Sequence, residues 1–251
     1  MGLIKTEDEI AKMRVSCKIV SDVLKHIKQF IVAGVSTAEI DRVIEDYIIS
    51  RGGKPAFKGY GGGKNPFPAS ACVSVNEEVV HGIPGKRILR EGDIVSIDVG
   101  VLKDGYYGDA AYTYPVGEIS QKKKKLLQVT ERSLYEGITQ AIPNNTINDI
   151  ACAIQNYVEG NGFSVVRELV GHGIGSKLHE EPAVPNYYSK YNTQKLYKGM
   201  TLAIEPMVNS GTYEIKIKAD GWTMVTKDGE PSAHFEHTIL ITNSKPEILT
   251  L

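Results

Sequence analysis

The sequence has few cysteines, no long apolar run and almost no net charge, and each of these absences excludes a class of protein. Its three cysteines, Cys17, Cys72 and Cys152, are far apart and form no CxxC pair, which favours a reducing compartment over a disulfide framework. No apolar signal segment opens the chain, and no run approaches membrane-spanning length. A net charge of −1 gives no electrostatic reason to expect nucleic acid or an anionic membrane. We therefore expect a cytoplasmic protein that binds neither nucleic acid nor membrane directly.

Two common enzyme motifs are also missing. The glycine- and proline-rich segment 59–69 lacks the Gly-Lys-Ser/Thr ending of a phosphate loop, so nucleotide binding is a weak interpretation. The HExxH motif of helical zinc peptidases does not occur. With 251 residues, 41% of them hydrophobic, the chain can form one large core or two small ones.

What the sequence does contain is a strong hairpin signal over residues 92–116. Two runs of apolar, β-branched and aromatic residues flank Lys103-Asp104-Gly105, and Asp-Gly between such runs is typical of a hairpin turn. Asp98 and Asp109 lie one on each arm. Depending on the turn they are opposite or diagonal neighbours, and both registers place them on one face because side chains alternate along a strand.

The two aspartates predict a bound cation. Like charges about 4 Å apart repel by about 4 kcal/mol at an effective dielectric near 20, and burial of both arms would raise that cost. The strands contain no Lys or Arg that could neutralise Asp98 and Asp109. A metal ion is therefore the leading candidate. The alternative is that one aspartate is exposed and the other lies at a strand end.

Four helices are predicted, two before the hairpin and two after it. Capping boxes begin the first helix at Thr6 and the second at Ser36. The third follows Ser120 and opens with the lysine run 122–125, which we interpret as a solvated first turn. The fourth helix is predicted over residues 147–159.

Parts of the first half of the chain recur in the second. The second and fourth helices share a residue pattern at a constant offset, and the strand leading to Asp98 matches the strand leading to Glu205. These matches predict an α+β fold in which helices back a curved antiparallel sheet. Residues 1–251 would form a single catalytic domain with pseudo-symmetric halves at about 1–115 and 116–251.

If the halves face each other, four carboxylates converge, from Asp98, Asp109, Glu205 and Glu236. Their four negative charges would be balanced by two divalent cations. His172 lies between glycines that would let the backbone approach a ligand, although a lone histidine is often structural. Oxygen ligands with one imidazole do not choose among Mn, Fe, Co and Zn.

These five residues, with the motifs His172-Gly-Ile-Gly and Leu178-His179-Glu-Glu-Pro, closely resemble the methionine aminopeptidases of type I over nearly the whole chain. The resemblance implies the pita-bread fold and hydrolytic removal of the initiator methionine from nascent proteins whose second residue is small. The short interval before Glu236 leaves no room for the helical insertion of type II. Because the sequence opens directly on its first helix, without the zinc-binding extension of many eukaryotic forms, the resemblance is to the bacterial cytosolic kind.

The resemblance also implies a role for each metal ligand. Asp98 would chelate one metal ion alone, Asp109 and Glu236 would bridge both ions, and His172 and Glu205 would complete the second ion's ligands. A bridging water of lowered pKa would attack the scissile carbonyl. Glu205 would also carry a proton between that water and the leaving amine.

The implied substrate contacts come from other parts of the chain. His179 would hydrogen-bond the substrate carbonyl and His81 the scissile amide side, and both count as catalytic residues with Glu205. The methionine side chain would lie against Tyr60, Cys72 and Trp222.

Further expectations from the resemblance concern partners and ions. A monovalent cation would bind near Asn76 and Ser232. The partners would be N-termini of nascent polypeptides at or near the ribosome, and the protein would be a monomer.

The sequence departs from the resemblance around the methionine pocket. Leu178 stands where bacterial members commonly have an aromatic residue, and the loop between Tyr60 and Cys72 is longer than usual. Phe67 in that loop would either replace the missing aromatic wall or hang free.

Two other functions are compatible with this fold. Proline-specific peptidases share the fold, but they usually carry a whole N-terminal domain before the position of Asp98. An inactive binding module on this fold would typically lack metal ligands, whereas all five acceptable ligand types are present here.

Overall fold

The computed structural model describes residues 2–251, and the four predicted helices are confirmed. Capping boxes fix the starts of the first and second helices. The hydroxyls of Thr6 and Ser36 accept from the backbone N–H groups of Glu9 and Glu39, and the carboxylates of these glutamates accept from the backbone N–H groups of Thr6 and Ser36. At the start of the third helix, the hydroxyl of Ser120 accepts from the backbone N–H of Lys123. A short 3-10 turn, Lys28–Phe30, follows the first helix. The helices are α1 (Glu7–Ile27), α2 (Thr37–Ser50), α3 (Gln121–Thr139) and α4 (Ile147–Gly160).

All strand pairs are antiparallel in the described part of the chain, as predicted, but they divide into four sheets rather than one. The strands are β1 (Lys54–Pro55), β2 (Cys72–Val75), β3 (Glu78–Val80), β4 (Ile94–Lys103), β5 (Tyr106–Pro115), β6 (Ser164–Val165), β7 (Gly171–Gly173), β8 (Glu180–Val184), β9 (Thr201–Ile204), β10 (Met207–Asn209), β11 (Ile215–Ile217), β12 (Met224–Thr226), β13 (Ser232–His234), β14 (His237–Leu240) and β15 (Glu247–Ile248). The sheet orders are β1-β4-β2 with β5 beside β4, β13-β10-β6, β11-β12-β3, and β15-β14-β9-β7-β8.

The hairpin of β4 and β5 adopts the diagonal register of the two that were predicted. Asp104 and Gly105 form its two-residue turn with φ angles of 51° and 80°, as the favoured hairpin turn requires. Asp98 pairs with Ala111, and Gly100 pairs with Asp109. Because residues two apart point the same way, both aspartates lie on one face of the hairpin.

Four apolar clusters hold these elements together, the smallest of them around β3, Val166 and Met207. The first lies between α1, α2 and the β4–β5 hairpin, and the second packs α3 and α4 against β9 and β14. A third and smaller cluster contains Met13, Phe67, Cys72 and Leu178, so it draws on residues from both ends of the chain. No helix among residues 2–251 is both long and apolar enough to span a membrane.

The solvated-turn interpretation of the lysine run is wrong for Lys123. Its ammonium group is half-buried and donates to the side-chain oxygen of Asn76 at 2.8 Å and to the carbonyl of Gly92 at 2.7 Å. Lys122 and Lys124 form ion pairs with glutamates at the surface. The first turn of α3 is therefore tied to the β2–β4 region rather than free in water.

Candidate metal centre and substrate cavity

One cavity of about 260 Å³ brings together every predicted ligand of the divalent metals and every predicted substrate contact. Asn76 and Ser232, predicted to lie near a monovalent cation, are outside it. The residues that line it are Phe57, Tyr60, Phe67, Cys72, His81, Asp98, Asp109, His172, Leu178, His179, Glu205, Trp222 and Glu236.

The acids meet because the hairpin of the first half is hydrogen-bonded to strand β14 of the second half. The hydroxyl of Thr238 on β14 donates to the carbonyl of Asp109 at 2.7 Å, and the backbone N–H of Asp109 donates back to that hydroxyl at 3.1 Å. The N–H of Glu236 donates to the carbonyl of Ala111 at 2.9 Å. These bonds place Asp109 and Glu236 side by side although they are far apart in sequence.

Several carboxylate oxygens in the cavity are buried without a hydrogen-bond partner. They are Oδ1 of Asp98, Oδ1 of Asp109 and Oε1 of Glu236. Ligand atoms of Asp109, His172 and Glu236 lie within 4.8 Å of one another. Buried polar atoms are nearly always paired, so converging unpaired carboxylate oxygens beside an imidazole fit a divalent cation.

The pKa values of the four acids are all raised. Burial raises the pKa of Asp98 to about 7 and that of Glu205 to about 8. Burial, together with the neighbouring carboxylates, raises the pKa of Asp109 and Glu236 well above their ordinary values. Without a cation, burial therefore favours the protonated forms of these groups, and a divalent cation would replace the protons.

His172 is held in the form that a metal ligand needs. Burial lowers its pKa to about 3, so the imidazole is neutral. Its Nδ1 lies 2.9 Å from the carbonyl oxygen of Gly173, so Nδ1 carries the proton and donates it. Nε2 is then an acceptor, and it lies 3.5 Å from Oε1 of Glu205.

The glycines beside His172 serve strand packing. A Cβ at Gly171 would overlap the carbonyl oxygen of Ala203 on β9, and a Cβ at Gly173 would overlap that of Glu181 on β8. Only glycine lets β7 lie this close to both neighbours. These glycines are therefore required for strand packing, while their predicted role in the approach of a ligand stays a prediction.

The other two predicted histidines, His81 and His179, also line the cavity. His81 is positioned by a left-handed backbone with φ of 58°, and burial lowers its pKa to about 4. Its ring lies edge-on to Trp222, with 6.3 Å between centroids. His179 lies near His172, with 4.1 Å between ring centroids, and its Nδ1 is 2.6 Å from the hydroxyl of Tyr60.

Phe67 forms a wall of the cavity. Of the two predicted alternatives, an aromatic wall or a side chain that hangs free, the structure shows the wall. Its side chain is only 3% exposed and meets Trp222 edge-on at 5.3 Å between centroids. Phe57 and Leu178 complete the apolar end together with Cys72. Phe57 was missed because nothing near it in the sequence marks it as different from an ordinary core residue.

His234 was also missed, and it lies beside the acids. It is buried, neither ring nitrogen has a hydrogen-bond partner, and Nε2 is 3.6 Å from Oε2 of Glu205. A signal was available, because residues two apart on an extended segment face the same side and His234 is two residues before Glu236.

A second cavity of about 250 Å³ lies between α1, β5, α3 and the C-terminal residues. Glu236 lines both cavities and separates them. The second cavity contains none of the other four predicted metal ligands, so the acid-lined cavity is the candidate site.

Comparison with known proteins identifies the family of this chain. Residues 11–243 match the model of metallopeptidase family M24. Methionine aminopeptidase 1 of Bacillus subtilis is 52% identical over 250 residues, which cover 100% of this chain and 99% of the relative. The methionine aminopeptidase of Escherichia coli is 46% identical over 250 residues, covering 99% and 93%.

Similarity to solved structures supports the same family. The methionine aminopeptidase of Thermotoga maritima superposes with a TM-score of 0.95 at 48% identity and covers 98% of both chains. A prolidase of Pyrococcus horikoshii, at 24% identity, has a TM-score of 0.80 over 99% of this chain and 63% of its own, which shows the shared pita-bread fold alone. The chain belongs to metallopeptidase family M24 and, within that family, to the methionine aminopeptidases.

Proposed function

We propose that this chain uses two divalent metal ions to remove the initiator methionine from nascent proteins whose second residue is small. The observation that carries the proposal is that five ligand-type side chains, some with unpaired buried carboxylate oxygens, line one partly apolar cavity. Ligand atoms of three of them, Asp109, His172 and Glu236, lie within 4.8 Å of one another. A metal site joined to an apolar pocket suits a peptidase that recognises one N-terminal side chain.

The five ligands divide between the two ions. Asp98 would hold one ion alone, Asp109 and Glu236 would hold both, and His172 and Glu205 would complete the second. When bound, the ions supply a Lewis acid and a water of lowered pKa.

The chain's own groups move the proton and hold the substrate. A carboxylate oxygen of Glu205 would accept the proton of the attacking water and deliver it to the leaving amine. His179 would donate to the substrate carbonyl and His81 would contact the scissile amide. Both are neutral near pH 7 because burial lowers their pKa values.

The methionine side chain would occupy the apolar end, against Tyr60, Cys72 and Trp222, with the ring of Phe67 as a further wall. A neighbouring cleft shares His179 and is lined by Leu3, Lys177 and residues 180–181. The cleft would carry the polypeptide beyond its second residue out to solvent. A bulky second residue would have to fit between the histidines, which supports the preference for small ones.

A monovalent cation near Asn76 and Ser232 is a further proposal. The N–H of Ser232 donates to the carbonyl of Asn76 at 2.9 Å, so the two backbones are adjacent. The side chain of Asn76 is already bonded to Asp93 and Lys123. Backbone carbonyls would therefore have to supply the ligands, and replacing K⁺ or Na⁺ by a bulky organic cation should lower thermal stability.

The remaining proposals concern the context in which the chain works. We propose one catalytic domain over 1–251 with pseudo-symmetric halves at about 1–115 and 116–251, which the separate apolar clusters of α1–α2 and α3–α4 support. We also propose a cytoplasmic monomer that meets nascent N-termini near the ribosome. Sedimentation with and without ribosomes tests both the monomer and that encounter.

Peptide cleavage tests the function directly. The EDTA-treated protein should release methionine from Met-Gly-Met and Met-Ala-Ser only after Mn, Fe, Co or Zn is added. A Met-Lys peptide of equal length should resist. Equal cleavage of both peptides would remove the specificity claim, and cleavage of an Xaa-Pro dipeptide instead would favour a proline-specific peptidase.

A further inference from the structure

Tyr60 does more than line the methionine pocket, because its hydroxyl is hydrogen-bonded to His179. The oxygen lies 2.6 Å from Nδ1 of the imidazole, and the two ring centroids are 5.1 Å apart. Both residues line the acid-lined cavity, with Tyr60 41% exposed at its mouth. A bond this short fixes one edge of the histidine ring.

The direction of this hydrogen bond decides which nitrogen of His179 carries the proton. A neutral imidazole has one N–H, and the bond made by one nitrogen sets the state of the other. A phenol O–H is a stronger donor than a neutral imidazole N–H, and an imidazole nitrogen is a stronger acceptor than a phenol oxygen. Tyr60 therefore donates to Nδ1, and the proton of His179 is on Nε2.

The backbone around Tyr60 is held in place, so its hydroxyl is positioned in advance. The N–H of Tyr60 donates to the carbonyl of Phe57 at 2.8 Å, and its carbonyl accepts from the N–H of Phe67 at 2.9 Å. These bonds close the base of the glycine-rich loop 61–66. The far side of the loop is fastened by the indole N–H of Trp222, which donates to the carbonyl of Asn65 at 3.1 Å.

We propose that Tyr60 is a positioning residue that holds His179 as the Nε2–H tautomer, with this N–H directed toward the substrate carbonyl oxygen. The proposal rests on the proposed function, in which His179 donates to that oxygen. A donor aimed in advance at developing negative charge stabilises the transition state more than the bound substrate. Loss of Tyr60's hydroxyl should therefore lower kcat more than it raises KM.

The kinetic test is a double-mutant cycle. Tyr60→Phe should lower kcat about tenfold on a Met-Ala-Ser peptide, with less than a twofold change in KM. In a His179→Gln background, where a side-chain amide replaces Nε2, the same substitution should change kcat less than twofold. Tyr106→Phe is the matched control, since it loses a hydroxyl bonded to Glu9 at 3.0 Å outside the cavity. Its kcat should equal that of the wild type.

A spectroscopic test separates this proposal from the proposed function. Nitrogen-15 NMR of the histidine side chains in the metal-free protein should show the proton of His179 on Nε2, and Tyr60→Phe should give a mixture of tautomers. A wild-type proton on Nδ1, a spectrum unchanged in Tyr60→Phe, or equal losses of kcat in both backgrounds would overturn the positioning role. Failure of the wild-type protein to cleave methionine peptides would overturn the proposed function. The NMR measurement does not depend on cleavage, so it would still test whether Tyr60 sets the tautomer of His179.

Discussion

The metal-free protein should lose stability as the pH rises from 7 to 8, because buried acids hold protons there. Burial and the neighbouring carboxylates raise the pKa of Asp109 and Glu236 well above their ordinary values, and burial raises the pKa of Glu205 to about 8. In the unfolded chain these groups ionise near pH 4. The folded state then binds more protons than the unfolded state, so the free energy of unfolding falls as the pH increases.

The buried histidines set the lower limit of this pH range, because they make the free energy of unfolding rise with pH instead of fall. Burial lowers the pKa of His172 to about 3 and of His81 to about 4. An unfolded histidine takes up its proton below about pH 6.5, so these residues make stability rise with pH up to that point. Their contribution is nearly complete at pH 7, and the acids dominate above it.

Each carboxyl that remains protonated in the folded state lowers the free energy of unfolding by about 1.4 kcal/mol per pH unit. Glu205, whose pKa is about 8, would by itself remove about 1 kcal/mol between pH 7 and pH 8. Asp109 and Glu236 shift stability in the same direction, against a typical total of about 5–15 kcal/mol. Urea unfolding of EDTA-treated protein at several pH values in this range measures the slope.

Two controls make the result specific to the acid cluster. Glu236→Gln removes one of the carboxyl groups whose pKa is raised, so the fall in stability with pH should be shallower than in the wild type. A saturating divalent ion should remove most of the slope, because bound carboxylates are already ionised. Metal-free stability that stays level or rises from pH 7 to pH 8, or a wild-type slope in Glu236→Gln, would refute the reasoning.

Three further predictions concern single side chains. Glu205→Gln should lower kcat by about 100-fold or more through loss of the proton carrier, and a fully active variant would exclude Glu205 from proton transfer. Gly173→Ala should lower the free energy of unfolding by about 1–3 kcal/mol through overpacking against β8. The control Gly160→Ala, at a position with open space around it, should change the free energy of unfolding by less than about 0.5 kcal/mol. Equal changes of the two variants in urea unfolding would contradict this. Leu178→Phe should reduce kcat/KM on Met-Ala-Ser several-fold by narrowing the pocket, and adding Phe67→Leu should restore most of it because the total volume is conserved. No recovery in the double variant would show that the two side chains do not share one wall.

Local elements could be predicted because their signals are local. A helix starting at Thr6 or Ser36 is specified by hydrogen bonds within one turn. The turn at Asp104-Gly105 is specified by two residues that tolerate positive φ. The family, the enzyme class and the pita-bread fold were likewise predicted and are confirmed.

The failures involve residues that act across long sequence distances. Lys123 was interpreted as solvated because its partners, Asn76 and Gly92, belong to another part of the chain. Phe57 has ordinary neighbours in sequence and gains significance only through the cavity that it lines. The strand pattern also does not reveal that the antiparallel strands form four sheets.

The sequence by itself determined the kinds of group available for chemistry, and the alternation of side chains along β4 and β5 determined that Asp98 and Asp109 share a face. Only the tertiary structure decided which groups meet. The bonds of Thr238 to Asp109 draw the second half onto the first, and the hydroxyl of Tyr60 reaches His179 from a distant loop. The physical reason is range: caps, turns and alternation act over a few residues, whereas the convergence of buried groups depends on how whole elements pack.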